Sequence, residues 1–383
     1  MRVKLGDIFE IGSGGTPSKL HPEYYDGNIP WVKTGDLKAE YLYEVEDYIT
    51  EEGLINSSAK LYEIDTVLVA MYGATIGATS ILKMPACTNQ ACAAFRKNER
   101  VVPEYLYYFL KSQKSRFVKD GVGGAQPNIS ARYLKRVQME LLSIDEQKAI
   151  VNILDKVTNV INKREEEIQF WDNLVKARFV EMFGDPVANE KGWTTKPLLD
   201  MGKCKNGMNF HYDDKGIEIN CLGVGDFKNL SIIDNTEELP TILLNEMPSE
   251  EYLLKDDDIV FVRSNGNKAL VGRSLAVYPG DVPTTFSGFC IRYRKHDNEI
   301  TVPYLLRVLK TDSMRMKMAG RGANIQNLNQ QILGTLVIPV PPVELQNQFA
   351  AFVTEVDKSK FIKEIKLSVF APIIQYGLIE KKT

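Results

Sequence analysis

The sequence predicts an α+β protein built as two tandem copies of one plan, a β-rich domain followed by a long amphipathic helix. Three observations predict it. The chain resembles itself at a spacing of about 190 to 200 residues, strand-like and turn-like segments fill each copy, and each copy ends by changing its hydrophobic period from strand to helix. At 383 residues the chain also exceeds what one hydrophobic core usually spans.

The repeat is carried by six segments in the same order. Ile29-Pro30-Trp31-Val32-Lys33-Thr34-Gly35-Asp36-Leu37-Lys38 aligns with Ile219-Asn220-Cys221-Leu222-Gly223-Val224-Gly225-Asp226-Phe227-Lys228. Asp65-Thr66-Val67-Leu68-Val69 aligns with Asp258-Ile259-Val260-Phe261-Val262, and each runs into a glycine loop, Tyr72 to Gly77 in one copy and Ser264 to Lys268 in the other. Val102-Pro103-Glu104-Tyr105-Leu106 aligns with Val302-Pro303-Tyr304-Leu305-Leu306. Gly124-Ala125 with Asn128-Ile129-Ser130 matches Gly322-Ala323 with Asn327-Leu328-Asn329, and Ile144-Asp145-Glu146-Gln147 matches Val343-Glu344-Leu345-Gln346.

Within each copy, Val137 to Leu141 and Phe289 to Arg294 alternate as strands buried on one face do. Proline tolerates the first turn of a helix, so short helices are expected near Pro103 and Pro303. From Asp145 to about Gly184 the apolar residues Ile150, Leu154, Val157, Ile161, Ile168, Trp171 and Val175 follow intervals of four and three once Arg164 fills the one missing seam position, the seam of a helix packed lengthwise on another. About 37 residues at roughly 1.5 Å each give a rod of roughly 55 Å. Gly184 and Pro186 supply the stop. The second helix opens with Leu345, Phe349, Phe352 and Val356; its seam blurs beyond Lys360, and Pro372 would break it, so a shorter or kinked helix is expected. Pattern alone also allows both helices to be plain spacers.

Composition is that of an ordinary globular protein, 44% hydrophobic and 25% charged, with no apolar run of membrane-spanning length and no signal-peptide core at Met1 to Asp7. Cys87, Cys92, Cys204, Cys221 and Cys290 form no CxxC pair, which points to reduced thiols in a cytoplasmic protein, and the scattered His21, His211 and His296 give no metal site. A search for catalytic motifs finds no phosphate loop, no HExxH, no framed nucleophile and no Asn/Asp-Pro-Pro-aromatic methyltransferase signature; Gly121 to Gly124 lacks the strand-turn-helix setting of a dinucleotide site. The balance favours a binding protein.

Net charge, −3 with pI near 5.9, speaks weakly against a nucleic-acid binder, but phosphate binding depends on local patches. Lys111, Lys114, Arg116, Lys119, Arg132, Lys135 and Arg136 stand against Asp120 alone; Arg307, Lys310, Arg315, Lys317 and Arg321 stand against Asp312 alone. Each patch adjoins an amide-bearing Gly-Ala loop. Lysine and arginine neutralise phosphates, while amides and arginine contact base edges. The candidate DNA contacts are Lys33, Tyr72, Lys114, Arg116, Gln126, Asn128 and Arg132 in the first copy. In the second they are Arg263, Asn265, Asn267, Lys268, Arg273, Arg315, Lys317, Arg321, Asn324, Gln326 and Asn327. The glycine loops read equally as backbone that approaches a ligand or as hairpin turns; they diverge between copies while the flanking strands agree, which suits two domains reading different sequences.

Taken together, Leu5-Gly6-Asp7-Ile8, Ile29-Pro30-Trp31-Val32, Gly35-Asp36-Leu37, Gly124 through Ser130, Ile144-Asp145-Glu146-Gln147, and Lys176-Ala177-Arg178-Phe179 through Phe183-Gly184-Asp185 resemble a specificity subunit of a type I restriction–modification enzyme. The resemblance implies target-recognition domains at 1–144 and 193–342, spacer helices at 145–184 and 343–383 paired as an antiparallel coiled coil, and half-sites roughly one duplex turn, about 34 Å, apart. It implies two methyltransferase subunits as partners, which use S-adenosylmethionine, and restriction subunits, which use ATP and Mg, with no cofactor on this chain. The second helix lacks a counterpart of Lys176 through Asp185. The rival readings are a stand-alone DNA-modifying enzyme and a non-DNA protein-binding scaffold.

Overall fold

The computed structural model describes residues 1–121, 128–210, 215–227, 231–319 and 327–376, with 360–376 described as backbone alone. Both copies are built on the same five-stranded sheet. In spatial order its strands are Ile11–Ser13, Cys92–Phe95, Val67–Ala70, Thr79–Leu82 and Tyr41–Leu42 in the first copy. In the second they are Gly202–Asn206, Cys290–Lys295, Asp258–Val262, Ser274–Val277 and Ile232–Ile233. Neighbours run antiparallel except for the last strand of each sheet, which is parallel to its partner. A second, smaller sheet in each copy is centred on a parallel pair, Trp31 opposite Cys87 and Cys221 opposite Thr285. The chain enters and leaves each domain along one ribbon, Arg2–Lys4 against Gln138–Glu140 and Thr195–Pro197 against Val337–Pro339.

Side-chain period two gives the central strands two buried faces. Val67 and Val69 enter one core cluster while Leu68 and Ala70 enter another; Ile259 and Phe261 divide from Val260 and Val262 in the same way. This corrects the expectation for Phe289 to Arg294. Cys290–Lys295 lies inside its sheet, not at a half-solvated face, and its arginines turn inward because a buried carboxylate awaits them. Asp258 accepts from Arg294 Nε and Nη2 at 2.7 Å each and lies 3.8 Å from the buried Arg292. Gln138–Glu140 does alternate, with only Met139 buried. The five cysteines are unpaired; burial pushes the Cys87 thiol up to about 11 and those of Cys92, Cys204 and Cys221 to about 12, so they serve as packing groups.

Two of the repeat alignments slip by one residue. Val67 faces Phe95 as Ile259 faces Tyr293, which pairs Asp65 with Asp257, and both aspartates adopt left-handed backbone, φ 69° and 70°. Tyr105 donates its hydroxyl to the Glu140 carbonyl at 3.0 Å and Tyr304 to that of Pro339 at 3.0 Å, so these tyrosines correspond. The helices they occupy, Pro103–Ser112 and Val302–Leu309, begin at equivalent positions, but the proline stands first in one and second in the other. Either slot suits proline, so a shared proline does not mark the register.

The first long helix spans Ile144–Phe183 and ends at Gly184, whose φ of 74° and N–H to the Val180 carbonyl at 2.8 Å form a left-handed stop. Among the described residues the second spans Val343–Tyr376, and its helical backbone continues past Pro372, where a break was expected. Each begins with a wholly buried glutamine. Gln147 Oε1 accepts from the Val102 N–H at 2.8 Å, and its Nε2 donates to the Arg100 and Leu142 carbonyls at 2.9 Å each. Gln346 repeats this with the Thr301 N–H and the Glu299 and Pro341 carbonyls, all at 2.8 Å.

The chain forms two compact units, one holding Met1–Glu167 and the second long helix from Ile362, the other holding Ile168–Phe361. Their boundaries fall inside both long helices. In the first unit Ile150 and Leu154 pack on the core of the domain. In the second unit Val175, Phe179 and Phe183 join Tyr304, Phe349 and Val356 in one core, with Trp171 and Phe352 packed against it. Phe179 and Phe183 meet Phe349 at ring-centroid distances of 5.5 and 5.6 Å, while Val175 shares a cavity wall with Val353. Both long helices thus contribute side chains to one core. Val157, Ile161 and Ile168 are half-buried. Among the described residues no helix is long and apolar enough to cross a membrane.

Replacing Gln147 or Gln346 by methionine preserves length but leaves one N–H and two carbonyls unsatisfied in the core. Each change is expected to cost about 2–3 kcal/mol, read as a lower urea midpoint; a midpoint equal to the parent's would show that the glutamine anchors nothing.

Candidate nucleic-acid interface

The glycine loops connect antiparallel neighbours, so they are hairpin turns, and they are also exposed at the tip of the sheet. Each closes on a glycine in left-handed backbone. Gly77 (φ 79°) donates its N–H to the Ala70 carbonyl and Gly272 (φ 77°) donates to that of Val262, both at 2.9 Å. The second loop is three residues longer between these equivalent points. Only glycine holds φ near +78° without strain, which fixes where each loop ends while leaving its length free.

Three segments converge on the first residue of each loop. Met71 donates its N–H to the Ala91 carbonyl at 2.8 Å and accepts from the Ile129 N–H at 2.9 Å. Arg263 does the same with Phe289 at 2.8 Å and Leu328 at 2.9 Å. In the first copy a further bridge joins Tyr72 to Asn128. The strand-connecting turn at 89–91 or 287–289, the glycine loop, and the chain leaving the Gly-Ala segment therefore share one patch of surface. Exposed on it are Tyr72, Asn128, Asn267, Lys268, Phe289 and Asn327. Gln90 and Phe289 were not singled out in the sequence; the polar run Asn89-Gln90 between two apolar strands was the available signal.

The basic helices lie against the closing glycines. A Cβ on Gly77 would come within 3.2 Å of Lys114 Cα. In the second copy Arg315 donates to the carbonyls of Gly272 at 3.2 Å and Val271 at 3.3 Å. Lys114, Arg116 and Arg132 are exposed, with Arg116 also 3.4 Å from Asp120. The second patch is thinner at the surface than its composition suggests. Arg315 is half-buried as a clasp on the loop; burial lowers its guanidinium pKa, and nearby Arg273 acts in the same sense. Arg307 also lies largely inside, its pKa lowered by burial against the opposing pull of Asp172 and Asp312. Lys317 is exposed.

The remaining candidates divide. Lys33 forms an ion pair with Asp47 at 2.6 Å and sits 5.1 Å over the Trp31 ring, so it is already engaged within its own domain. Arg263 Nη1 donates to the Gly288 carbonyl at 3.2 Å, joining two of the converging segments. Asn265 Oδ1 accepts from the Asn267 N–H at 2.7 Å and Asn267 Oδ1 from the Ala269 N–H at 3.1 Å, so both amides shape the loop. Arg273 is half-buried, and it and Lys268 each have partners. Gln126, Arg321, Asn324 and Gln326 lie outside the described residues. Lysines and arginines flanking a patch of amides and aromatics can neutralise a phosphate backbone and offer side chains to base edges.

Residues 1–169 and 190–369 match the protein family described as type I restriction modification DNA specificity domain. The chain is 32% identical over 226 residues to the type I restriction enzyme MjaIX specificity subunit of Methanocaldococcus jannaschii, covering 54% of this chain and 52% of that one. It is 31% identical over 164 residues to the EcoR124I/EcoR124II specificity subunit of Escherichia coli, 41% of each chain. It thus spans about half the length of these relatives or less, although a 20% match to the MjaVIII specificity subunit of Methanocaldococcus jannaschii covers 94% of this chain and 87% of that one. The fold is shared with the crystal structure of a type I restriction–modification system S subunit from M. genitalium, at 16% identity, a TM-score of 0.53, and coverage of 100% of this chain and 96% of that one. It is also shared with a chain from a study of complex assembly and conformational transition of the type I R-M system, at 16% identity, a TM-score of 0.60, and coverage of 99% and 96%.

Arg315→Met removes two charge-assisted hydrogen bonds from the loop, worth about 1.5–3 kcal/mol locally. Amide exchange at Gly272 is expected to accelerate by at least about tenfold, whereas Lys317→Met leaves it unchanged; equal exchange in both variants would remove the clasp.

Proposed function

The chain belongs to the type I restriction–modification DNA specificity family, and on that footing we propose that it is the sequence-reading subunit of such a complex, each domain reading one half of a bipartite duplex site. The observation that carries this reading is one scaffold used twice with two different loops. Strand order, closing glycine and three-segment junction agree between copies, while loop length and the exposed side chains differ. Shared anchoring of loops that differ in length and exposed side chains suits one support presenting two readers.

Roles follow from side-chain chemistry and position. Lys114, Arg116 and Arg132, with Lys268 and Lys317 in the second copy, hold phosphates and set the pose. Tyr72, Gln90, Asn128, Asn267, Phe289 and Asn327 face the bases by stacking, apolar contact or amide hydrogen bonds. Arg315 and Arg263 act through the loop they position. The long helices set the gap between half-sites and dock two methyltransferase subunits in the cytoplasm; chemistry belongs to those partners, which would carry S-adenosylmethionine, and to restriction subunits using ATP and Mg. This chain's contribution is recognition and spacing.

Lys114, Arg116 and Arg132 changed together to alanine should reduce the slope of log affinity against log salt by about 2–3, at about 0.9 per lost phosphate contact, without altering either half-site. An unchanged slope in a gel-shift salt series would place the phosphate contacts elsewhere. Inserting about four residues, roughly one helical turn, near Asn162 should change the preferred gap and neither half-site; methylome mapping with an unchanged gap would sink the ruler. Exchanging 193–342 for a homologous domain should change one half-site only, and changes in both would mean that the domains do not read independently.

A further inference from the structure

Within the second compact unit a cavity of about 110 Å³ lies between the end of the first long helix, the start of the second, and the helix Val302–Leu309. Val175, Leu306, Phe349 and Val353 give it apolar walls, and Arg307 and Lys310 bring cations to it beside the carboxylates of Asp172 and Asp357. The buried Arg307 Nε has no hydrogen-bond partner among the described residues.

The first copy shows what the same place holds when it is filled from within. The correspondence of Tyr105 with Tyr304 puts Tyr107 and Tyr108 at the positions of Leu306 and Arg307, and Lys111 at that of Lys310. Both tyrosines are buried, 4% and 2% exposed, with their rings edge to face at 5.2 Å. Lys111 Nζ donates to the Tyr107 hydroxyl at 3.2 Å, and the Tyr108 hydroxyl donates to Asp155 at 2.7 Å. In the second copy the lysine remains, donating to Ser231 Oγ at 2.8 Å, but both phenol rings are gone.

We propose that this cavity is a ligand site for a small phenol, which supplies from outside the ring that the first copy carries as side chains. The volume, about 110 Å³, is of the order of a single aromatic ring and smaller than the roughly 150 Å³ apolar cavity that takes up benzene. The cavity opens to solvent, where the rest of a ligand can project. The polar groups fit as well. Lys310, Asp172 and Asp357 already have partners, so the open group is the buried Arg307 Nε. A phenol hydroxyl accepts from it, while the neighbouring carboxylates disfavour an anionic ligand. Bound there, the ring would brace the joint at which both long helices meet the second domain's core.

The test is titration of the full chain with p-cresol and, separately, with toluene, followed by calorimetry. Saturable one-to-one binding of p-cresol, at least fivefold tighter than toluene, is expected. Leu306→Tyr, which restores the first copy's ring, should weaken p-cresol at least tenfold. Arg307→Met, which keeps the volume but removes the donor, should bring p-cresol to the level of toluene, and it decides the matter if Leu306→Tyr does not fold. No saturable binding of p-cresol, or binding that neither variant alters, overturns the proposal. Because no DNA is involved, the result is independent of the reading of the loops.

Discussion

A glutamine with no solvent exposure holds each long helix to its domain. It satisfies a backbone N–H at the start of the short helix, a carbonyl in the loop before that helix, and a carbonyl just ahead of its own helix. Such groups would otherwise be buried unpaired, so the carboxamide is required chemistry. One oxygen and one NH2 group, acting on three fixed points, also settle the direction in which the helix leaves the domain. Apolar packing alone would settle it less sharply, because methyl contacts tolerate rotation and hydrogen bonds do not. Everything the helix later touches inherits that direction.

The ends of the first helix show what the inheritance achieves. Ile150 and Leu154 belong to one core, Val175, Phe179 and Phe183 to another. A helix that contributes buried side chains to two cores cannot slide along either without opening cavities. Its stiffness therefore comes from being embedded at both ends as well as from its own hydrogen bonds.

Much of this was legible in the sequence, and the illegible parts have physical causes. The duplication, the helix starts and the glycine stop at Gly184 are local signals, each set by backbone chemistry within a few residues. Register was harder. Asp65 was set against Asp258 when its partner is Asp257, because the strands read as similar apolar runs and only backbone conformation distinguishes the true pair. Basic residues were the other failure. Arg292, Arg307 and Arg315 look like surface cations in a linear pattern, but each has most of its length inside, where an aspartate or a row of carbonyls decides its role. Charge in a sequence says nothing of where its counter-charge lies. The shared Gln147 and Gln346 were visible as a repeated motif, yet their function depends on three distant backbone groups that no local pattern reveals. The loop anchors likewise join main-chain groups far apart in the chain.

The anchors that the two copies share use main-chain atoms. Met71 and Arg263 bind the same two neighbours through N–H and C=O, although one side chain is a buried thioether and the other a guanidinium. A junction whose shared bonds run through the main chain accommodates different side chains. Point changes, insertions or a wholesale exchange of the loop can be absorbed there while the strands beneath keep their packing. On the proposed reading of this tip as the recognition surface, new specificities would arise there without passing through unfolded intermediates, and what is recognised could change while the support stays the same.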